Sequence, residues 1–274
     1  MSTLIQINKS GSVATSGSSL YSTNPSTSSF DTVNGIYLGL NAGANATGST
    51  NSNFLGYQSG LSATNSYSSN FLGNSAGYQA TGAYYSNFLG NSAGYQAVDS
   101  RNCNFLGYRA GYGVTTSIAC NFLGFNTGFQ SSNSGFSNFI GNQAGYDADS
   151  SYNSNFFGQS AGYEADNAYH SNFIGSYAGL QATNANNCNF IGESAGRKNS
   201  GNNVTAIGRD AGFNSSINTG NSLNGMFIIS NSNLPSYLNR AAAVAAITVA
   251  LGAVAGSTYL YYNETTFAIE GVRL

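Results

Sequence analysis

A seventeen-residue repeat constrains the fold of this chain more than any other feature of its sequence. In most copies its core reads Asn-Phe-(Leu/Ile)-Gly-x-x-(Ala/Ser/Thr)-Gly, and a degenerate last copy follows after sixteen residues. The first glycine of the core falls at Gly39, Gly56, Gly73, Gly90, Gly107, Gly124, Gly141, Gly158, Gly175, Gly192 and Gly208. Because insertions are almost absent across these copies, each unit must contact the preceding one in a fixed register. The repeat therefore predicts a solenoid.

The residues inside each repeat predict strands and turns. Two glycines bracket short apolar runs, whereas a helical repeat would avoid so much glycine. In the third copy, residues 69–73 read as a short strand, 74–77 as a corner, 78–80 as a second short strand and 81–85 as a polar loop. We therefore expect an all-β protein, a parallel β-solenoid of the β-roll type with about eleven coils. At a strand spacing of about 4.8 Å its rod would be on the order of 50 Å long.

Identical residues of successive coils are expected to stack into ladders, as in cross-β structures. In three consecutive copies the predicted ladder residues are Asn70, Phe71, Leu72, Gly73, Asn87, Phe88, Leu89, Gly90, Asn104, Phe105, Leu106 and Gly107. Stacked asparagine amides bond to one another along the axis, so we interpret this ladder as structural and not as a ligand site.

Phe and Leu/Ile are neighbours in ten copies, with Tyr37 in place of Phe and Phe157 in place of Leu, and neighbouring strand residues point to opposite faces. One of the two must therefore point out of the coil, although the sequence leaves open which one. A stripe of about ten outward apolar side chains is larger than soluble monomers leave exposed. Other copies of the chain would cover it most simply, and we expect a parallel homotrimer because cyclic symmetry buries equivalent stripes.

Composition excludes some classes of partner. Charged residues make up only 7% of the chain and the formal net charge is −2, so we predict no nucleic-acid binding. Residues 1–9 lack the apolar run of a secretory signal. The apolar stretch 241–255 is shorter than the roughly 20 residues of a membrane-spanning helix, so we predict no membrane span.

The chain divides into three predicted parts. Residues 1–34 form an N-terminal strand and a Ser/Thr-rich arm, and residues 35–213 form the solenoid. Residues 214–274 form a C-terminal cap that protects the last coil. In this α+β cap we expect a strand at 226–229, a helix at 240–251, and a hairpin of strands 257–262 and 266–272.

No catalytic, cofactor or metal site is predicted. The single His and three Cys do not form a nucleophile–base arrangement. Cys103, Cys120 and Cys188 all precede the repeat asparagine, where most copies have Ser, so we interpret them as small substitutes for Ser. Threonine is not expected to recur in phase, which argues against an ice-binding ladder.

Two groups of surface residues leave alternatives open. The carboxylates Asp147, Asp149, Glu164 and Asp166 lie in loops of adjacent coils and read as a solvated face, or else as a cation or sugar site. Loop tyrosines suit contact with a receptor because tyrosine is amphipathic and stiff. The candidate receptor contacts are Tyr67, Tyr84, Tyr85, Tyr152 and Tyr169. Alternatively, these tyrosines cover the surface of the rod itself.

Residues 35–213 resemble the head repeats of trimeric autotransporter adhesins, which are left-handed parallel β-rolls. The nearest match is Asn-Val-Thr-Ala-Ile-Gly-Arg-Asp-Ala at 203–211. Similar repeats occur in fibres and spikes of bacteriophages and large viruses. The signal, stalk and anchor segments of the adhesins are not recognisable here, and both ends of the chain are similar to those of phage structural proteins. The resemblance therefore implies a virion protein more than a secreted adhesin.

The leading hypothesis is a structural protein of the virion surface: a trimeric tail fibre, spike or capsid decoration protein for host attachment or surface display. Its expected partners are other virion structural proteins and a host glycan or protein receptor. The alternative is a bacterial cell-surface adhesin or a self-assembling extracellular filament. An enzymatic role, as a polysaccharide-degrading β-helix, is the least favoured reading, and we predict that the chain is not an enzyme.

Overall fold

A computed structural model describes residues 35–212 of the chain and, outside them, five short strands. These residues contain no helix, and they form the predicted parallel β-solenoid. The strands are β1 (Leu20–Tyr21), β2 (Ile36–Leu38), β3 (Asn53–Leu55), β4 (Asn70–Leu72), β5 (Asn87–Leu89), β6 (Asn104–Leu106), β7 (Asn121–Leu123), β8 (Asn138–Ile140), β9 (Asn155–Phe157), β10 (Asn172–Ile174), β11 (Asn189–Ile191), β12 (Thr205–Ile207), β13 (Phe227–Ile229), β14 (Ser236–Tyr237), β15 (Thr258–Asn263) and β16 (Ala268–Arg273).

Strands β1 to β13 form one parallel sheet in chain order, with each strand bonded to the next. From β3 to β11 equivalent repeat residues are direct partners, as where Asn70 pairs with Asn87 and Phe71 with Phe88. This pairing confirms the register that the seventeen-residue period predicts. A separate sheet contains β14, β15 and β16, of which β15 and β16 pair antiparallel. The predicted helix at 240–251 lies outside the described residues.

Each coil contains one strand, so the second strand predicted at 78–80 is wrong. Residues 78 and 79 lie in a turn, and the next extended point is an isolated bridge at Thr81. The reason is local: Gly77 and Gln79 both have left-handed backbone, with φ of 62° and 53°. A strand cannot continue through alternating backbone of this kind.

Threonine does recur in phase, contrary to the expectation from the sequence. The bridge position holds Thr47, Thr64, Thr81 and Thr115, with Val98 and Ser132 in the same column. Thr64 Oγ1 donates to Thr81 Oγ1 at 3.1 Å. Asp149 and Asp166 follow at the next equivalent positions, so the ladder is not continuous.

The coils are joined by backbone hydrogen bonds around their circumference. Non-glycine residues with left-handed backbone donate to the carbonyl eighteen residues earlier, as Ser75 does to Tyr57 at 2.8 Å. Other residues donate sixteen residues ahead, as Gly77 does to Ala93 at 2.8 Å. An insertion in one coil would break bonds to both neighbours, which explains why the period tolerates almost none.

A phenylalanine ladder forms the core. Phe71 and its equivalents have no exposed surface, and consecutive rings stack with centroids 4.6 to 4.9 Å apart. The other interior positions are mostly Ala, Ser or Cys, so the ring is the only large side chain that most coils bury. It lies against the second repeat glycine: a Cβ on Gly77 would overlap Cδ2 of Phe71. Phe is therefore the inward member of the Phe–Leu/Ile pair.

Candidate functional site

The outward side chains of β2 to β12 form an uncharged surface that we call the sheet face. It contains an asparagine column and a Leu/Ile column, with Phe157 in place of Leu in β9. The Leu/Ile residues are partly exposed. Among the most exposed of them, the exposed fraction ranges from 36% at Leu106 to 42% at Ile140. The predicted outward apolar stripe therefore consists of Leu and Ile.

Asparagine side chains connect the coils along the sheet face. From Asn53 to Asn172, each Nδ2 donates to Oδ1 of the next asparagine at 2.7 to 2.9 Å. The first Oδ1 accepts the backbone N–H of Ile36 at 3.2 Å. Each amide keeps one further N–H that the ladder does not use.

A shallow groove of about 870 Å³ runs between the two columns from Ile36 to Ile140. Exposed apolar residues border it on both sides. On the side that we call the glycine edge, Leu40, Tyr57, Tyr108 and Phe125 each follow the first repeat glycine. On the opposite side, the loop edge, Tyr85 and Phe136 lie two residues before the repeat asparagine. Most exposed large apolar side chains of the described coils lie on the face or its edges; the exceptions are Val98, Tyr169 and Tyr177.

The candidate receptor tyrosines separate into two patches. In the first patch, Tyr67 and Tyr84 stack with centroids 4.7 Å apart, and Tyr85 meets Tyr67 edge-on at 5.5 Å. The guanidinium of Arg101 lies 4.8 Å from the Tyr84 ring centre and 3.4 Å from a carboxylate oxygen of Asp99. Tyr85 is 57% exposed, so its ring is the most accessible part of this patch.

The second patch lies four coils further along the rod. Tyr152 meets Phe136 edge-on, with centroids 5.4 Å apart, and its ring covers Gly135. Tyr169 occupies the next position of the same column, and its backbone N–H donates to Asn186 at 3.1 Å. Tyr152 therefore covers the rod's own backbone, whereas Tyr169 remains exposed.

The structure contains an aromatic ladder that the sequence interpretation missed. Its members are Tyr78, Tyr95, Tyr112, Phe129, Tyr146 and Tyr163, with consecutive centroids 4.7 to 5.0 Å apart. The signal was an aromatic residue directly after the second glycine in six successive copies. The aromatic rings of this ladder cover each other's faces, so only the rims of the rings contact solvent. Partial burial is the largest cause that raises the pKa of Tyr95, and electrostatic repulsion from the phenols of Tyr112 and Tyr78 raises it further.

The four loop carboxylates come together as an acidic patch on the surface. Asp147, Asp149, Glu164 and Asp166 line a shallow depression of about 410 Å³ with Gln181 and Thr183. Burial is the largest cause that raises the pKa of Asp147, followed by repulsion from Asp149 and Glu164. The pKa of Asp166 is raised for the same reasons, although a backbone hydrogen bond opposes the shift. Gln181 Nε2 donates to Glu164 at 2.8 Å, so part of the patch is already hydrogen-bonded.

The three cysteines are buried free thiols. Cys103 donates to the Ser117 carbonyl at 2.9 Å, as Ser86 of the preceding coil donates to Ser100 at 2.7 Å. Cys therefore takes the place of Ser as an internal donor, as the sequence predicts. Burial raises the pKa of the Cys188 thiol to about 11 and raises that of Cys103 still further, so both are protonated at neutral pH.

Among the described residues, no three His, Cys, Asp or Glu side chains form a group that could hold a metal ion. The same part of the chain contains no helix with the length and hydropathy needed to cross a bilayer. No protein-family model matches the chain, and no curated protein matches its sequence.

Proposed function

We propose that this chain is a structural protein of the virion surface: a homotrimeric tail fibre, spike or capsid decoration protein that mediates host attachment or surface display. The observation that carries the proposal is the sheet face, a long, uncharged and partly apolar surface on a regular rod. Such a rod suits holding and displaying, since its backbone is bonded from coil to coil.

The size of the sheet face supports an interface between copies of the chain, as the proposed homotrimer requires. The length of the face corresponds to the ten strand-to-strand steps from β2 to β12. Its width corresponds to five residues, the three of each strand and one neighbour on each side. At about 4.8 Å per step and about 3.3 Å per residue, the face covers roughly 800 Å². Stable interfaces bury about 800 Å² per partner.

The remaining surface is available for a host glycan or protein receptor. Tyr85 lies on the loop edge of the sheet face, so the part of its patch outside that face is the stacked pair Tyr67 and Tyr84, with the guanidinium of Arg101 over the Tyr84 ring. Aromatic rings and arginine are the side chains most often found at binding hot spots. We assign receptor contact first to this patch, then to exposed Tyr169, and least to Tyr152.

Labelling of particles tests the location. Antibodies against the purified chain should label particles of the virus that encodes it in immunogold electron microscopy. Pre-incubation of host cells with the purified chain should reduce adsorption of those particles. Label on bacterial envelopes alone would instead support a cell-surface adhesin or filament, which the resemblance to adhesin head repeats favours as the alternative. Label on neither would overturn both proposals.

A further inference from the structure

We infer that the two edges of the sheet face are complementary halves of the seam between copies, so that Phe136 of one chain packs against Phe125 of the next. The inference rests on the proposed homotrimer and adds which residues meet across it. Its occupant is a second copy of this chain.

Exposure of the two rings is the first observation. Phe125 on the glycine edge is 49% exposed, and Phe136 on the loop edge is 52% exposed. The ladder phenylalanines from Phe54 to Phe190 are fully buried, whereas these two rings stand at edge positions and are about half exposed. Phe136 also has left-handed backbone, with φ of 55°, a conformation that bulky residues rarely adopt. A large ring at this position therefore has a conformational cost that a smaller residue would reduce.

Charge is the second observation. The two columns of the sheet face contain no charged residue from β2 to β12. On the edges, the only charged residues are Glu193 and Arg209 near the last coil, and they form an ion pair of 2.9 Å. Identical chains in parallel bring like residues to the same height, so any unpaired charge on this surface would repel its copies. The absence of unpaired charge fits a partner that is a copy of the same chain.

The position of the rings along the rod is the third observation. Phe125 follows β7 by two residues, and Phe136 precedes β8 by two residues. These strands are direct neighbours in the sheet. Eleven residues of a seventeen-residue coil correspond to an axial rise of about 3 Å. In a parallel ring of copies, the glycine edge of one chain meets the loop edge of the next. The two rings then lie at nearly the same height.

Disulfide trapping tests the inference with the full chain. The double variant Phe125→Cys/Phe136→Cys, oxidised in air with copper phenanthroline, should give a covalent trimer on a non-reducing gel. Dioxygen accepts the electrons and protons of the two thiols that form each bond. Each single variant lacks the opposite thiol and should remain uncrosslinked. The wild-type chain, with its three buried thiols, is the control for background oxidation.

The outcomes separate this inference from the proposed function. Light scattering of the reduced double variant gives its mass before oxidation, and its circular dichroism reports whether it folds. A trimeric mass without crosslinks would place the seam elsewhere and overturn the inference alone. Covalent dimers without trimers would also overturn it, since they indicate a two-chain seam. A wild-type chain that is monomeric would overturn the homotrimer itself.

Discussion

Asparagine and glycine are abundant because the coil needs left-handed backbone at several positions in every turn. Thirty-seven described residues other than glycine have positive φ, and twelve of them are asparagine, which tolerates this region best. The N–H groups of these residues donate to the preceding coil, and other N–H groups of the same coil donate to the following coil. The unusual backbone therefore allows hydrogen bonds to both neighbouring coils. A polar composition that might suggest disorder is therefore a requirement of this fold.

Two glycines of one coil allow the cost of left-handed backbone to be measured separately from the cost of a steric clash at Cβ. Gly111 and Gly113 have φ of 63° and 66°. A Cβ on Gly111 would overlap the Phe105 ring, whereas on Gly113 it would meet only Gln130 Cγ at 3.5 Å. Gly113→Ala should lower the free energy of unfolding by about 1–2 kcal/mol, from backbone alone. Gly111→Ala should lower it by about 1–3 kcal/mol more, from overpacking.

Urea denaturation followed by circular dichroism measures both values. Equal losses for the two variants would contradict the tight contact between Phe105 and the second repeat glycine.

The asparagine ladder gives a second matched pair of side chains. Asn104 accepts from Asn87 and donates to Asn121, both at 2.8 Å. Asn91 is exposed, and its side chain bonds only to Ser92. Asn104→Ala should lower the free energy of unfolding by about 1–3 kcal/mol because it leaves two half-buried partners unpaired. Asn91→Ala should change it by less than about 0.5 kcal/mol. If Asn104→Ala lowers the free energy of unfolding as little as Asn91→Ala does, the asparagine ladder contributes little to stability.

At the scale of elements, the period predicted the solenoid and its register but not the shape of the coil. Residues 78–80 resemble a strand in composition, yet Gln79 takes the left-handed conformation, which no side-chain pattern reveals. The same composition hides the aromatic ladder, because it places Tyr78 in a strand and not in a column of its own. The Phe–Leu/Ile pair predicted one inward and one outward residue. Only the narrow interior, lined by Ala, Ser and Cys, decides that the flat ring lies inside.

The acidic patch predicts an unusual pH dependence of stability. In the folded chain the pKa values of Asp147 and Asp166 are raised above 3.8, so the folded state holds its protons more tightly than the unfolded state does. Stability from these groups therefore increases as the pH falls through the raised values and is complete below the unfolded pKa. The melting temperature should rise as the pH is lowered from 7 towards 4.

Removal of the two carboxylates tests this cause. The variant Asp147→Asn/Asp166→Asn should melt higher than the wild type at pH 7 and show a weaker response to pH. Asp210→Asn, an exposed position outside the patch, is the control for loss of a surface carboxylate. A double variant with the wild-type pH response would show that other groups control it.

At the scale of the whole molecule, the rod has a buried phenylalanine core and a second apolar surface on its sheet face. The sequence predicted both from the adjacent Phe and Leu/Ile, because strand alternation assigns them to opposite faces. It did not predict the edges of that face, where large exposed apolar residues such as Phe125 and Phe136 share their columns with polar ones. The receptor contacts were the least predictable, since loop tyrosines that look alike in sequence either cover backbone, as Tyr152 does, or extend into solvent, as Tyr85 does.

The mass of the chain in solution tests the central claim, that copies of the chain cover the sheet face. Light scattering coupled to size-exclusion chromatography should give three times 28.3 kDa for the wild type. The variant Leu89→Ser/Leu106→Ser should be monomeric with an unchanged circular dichroism spectrum, because both residues are on the sheet face and outside the core. Val98→Ser, an exposed apolar residue away from the face, should remain trimeric. A monomeric wild type would contradict the account.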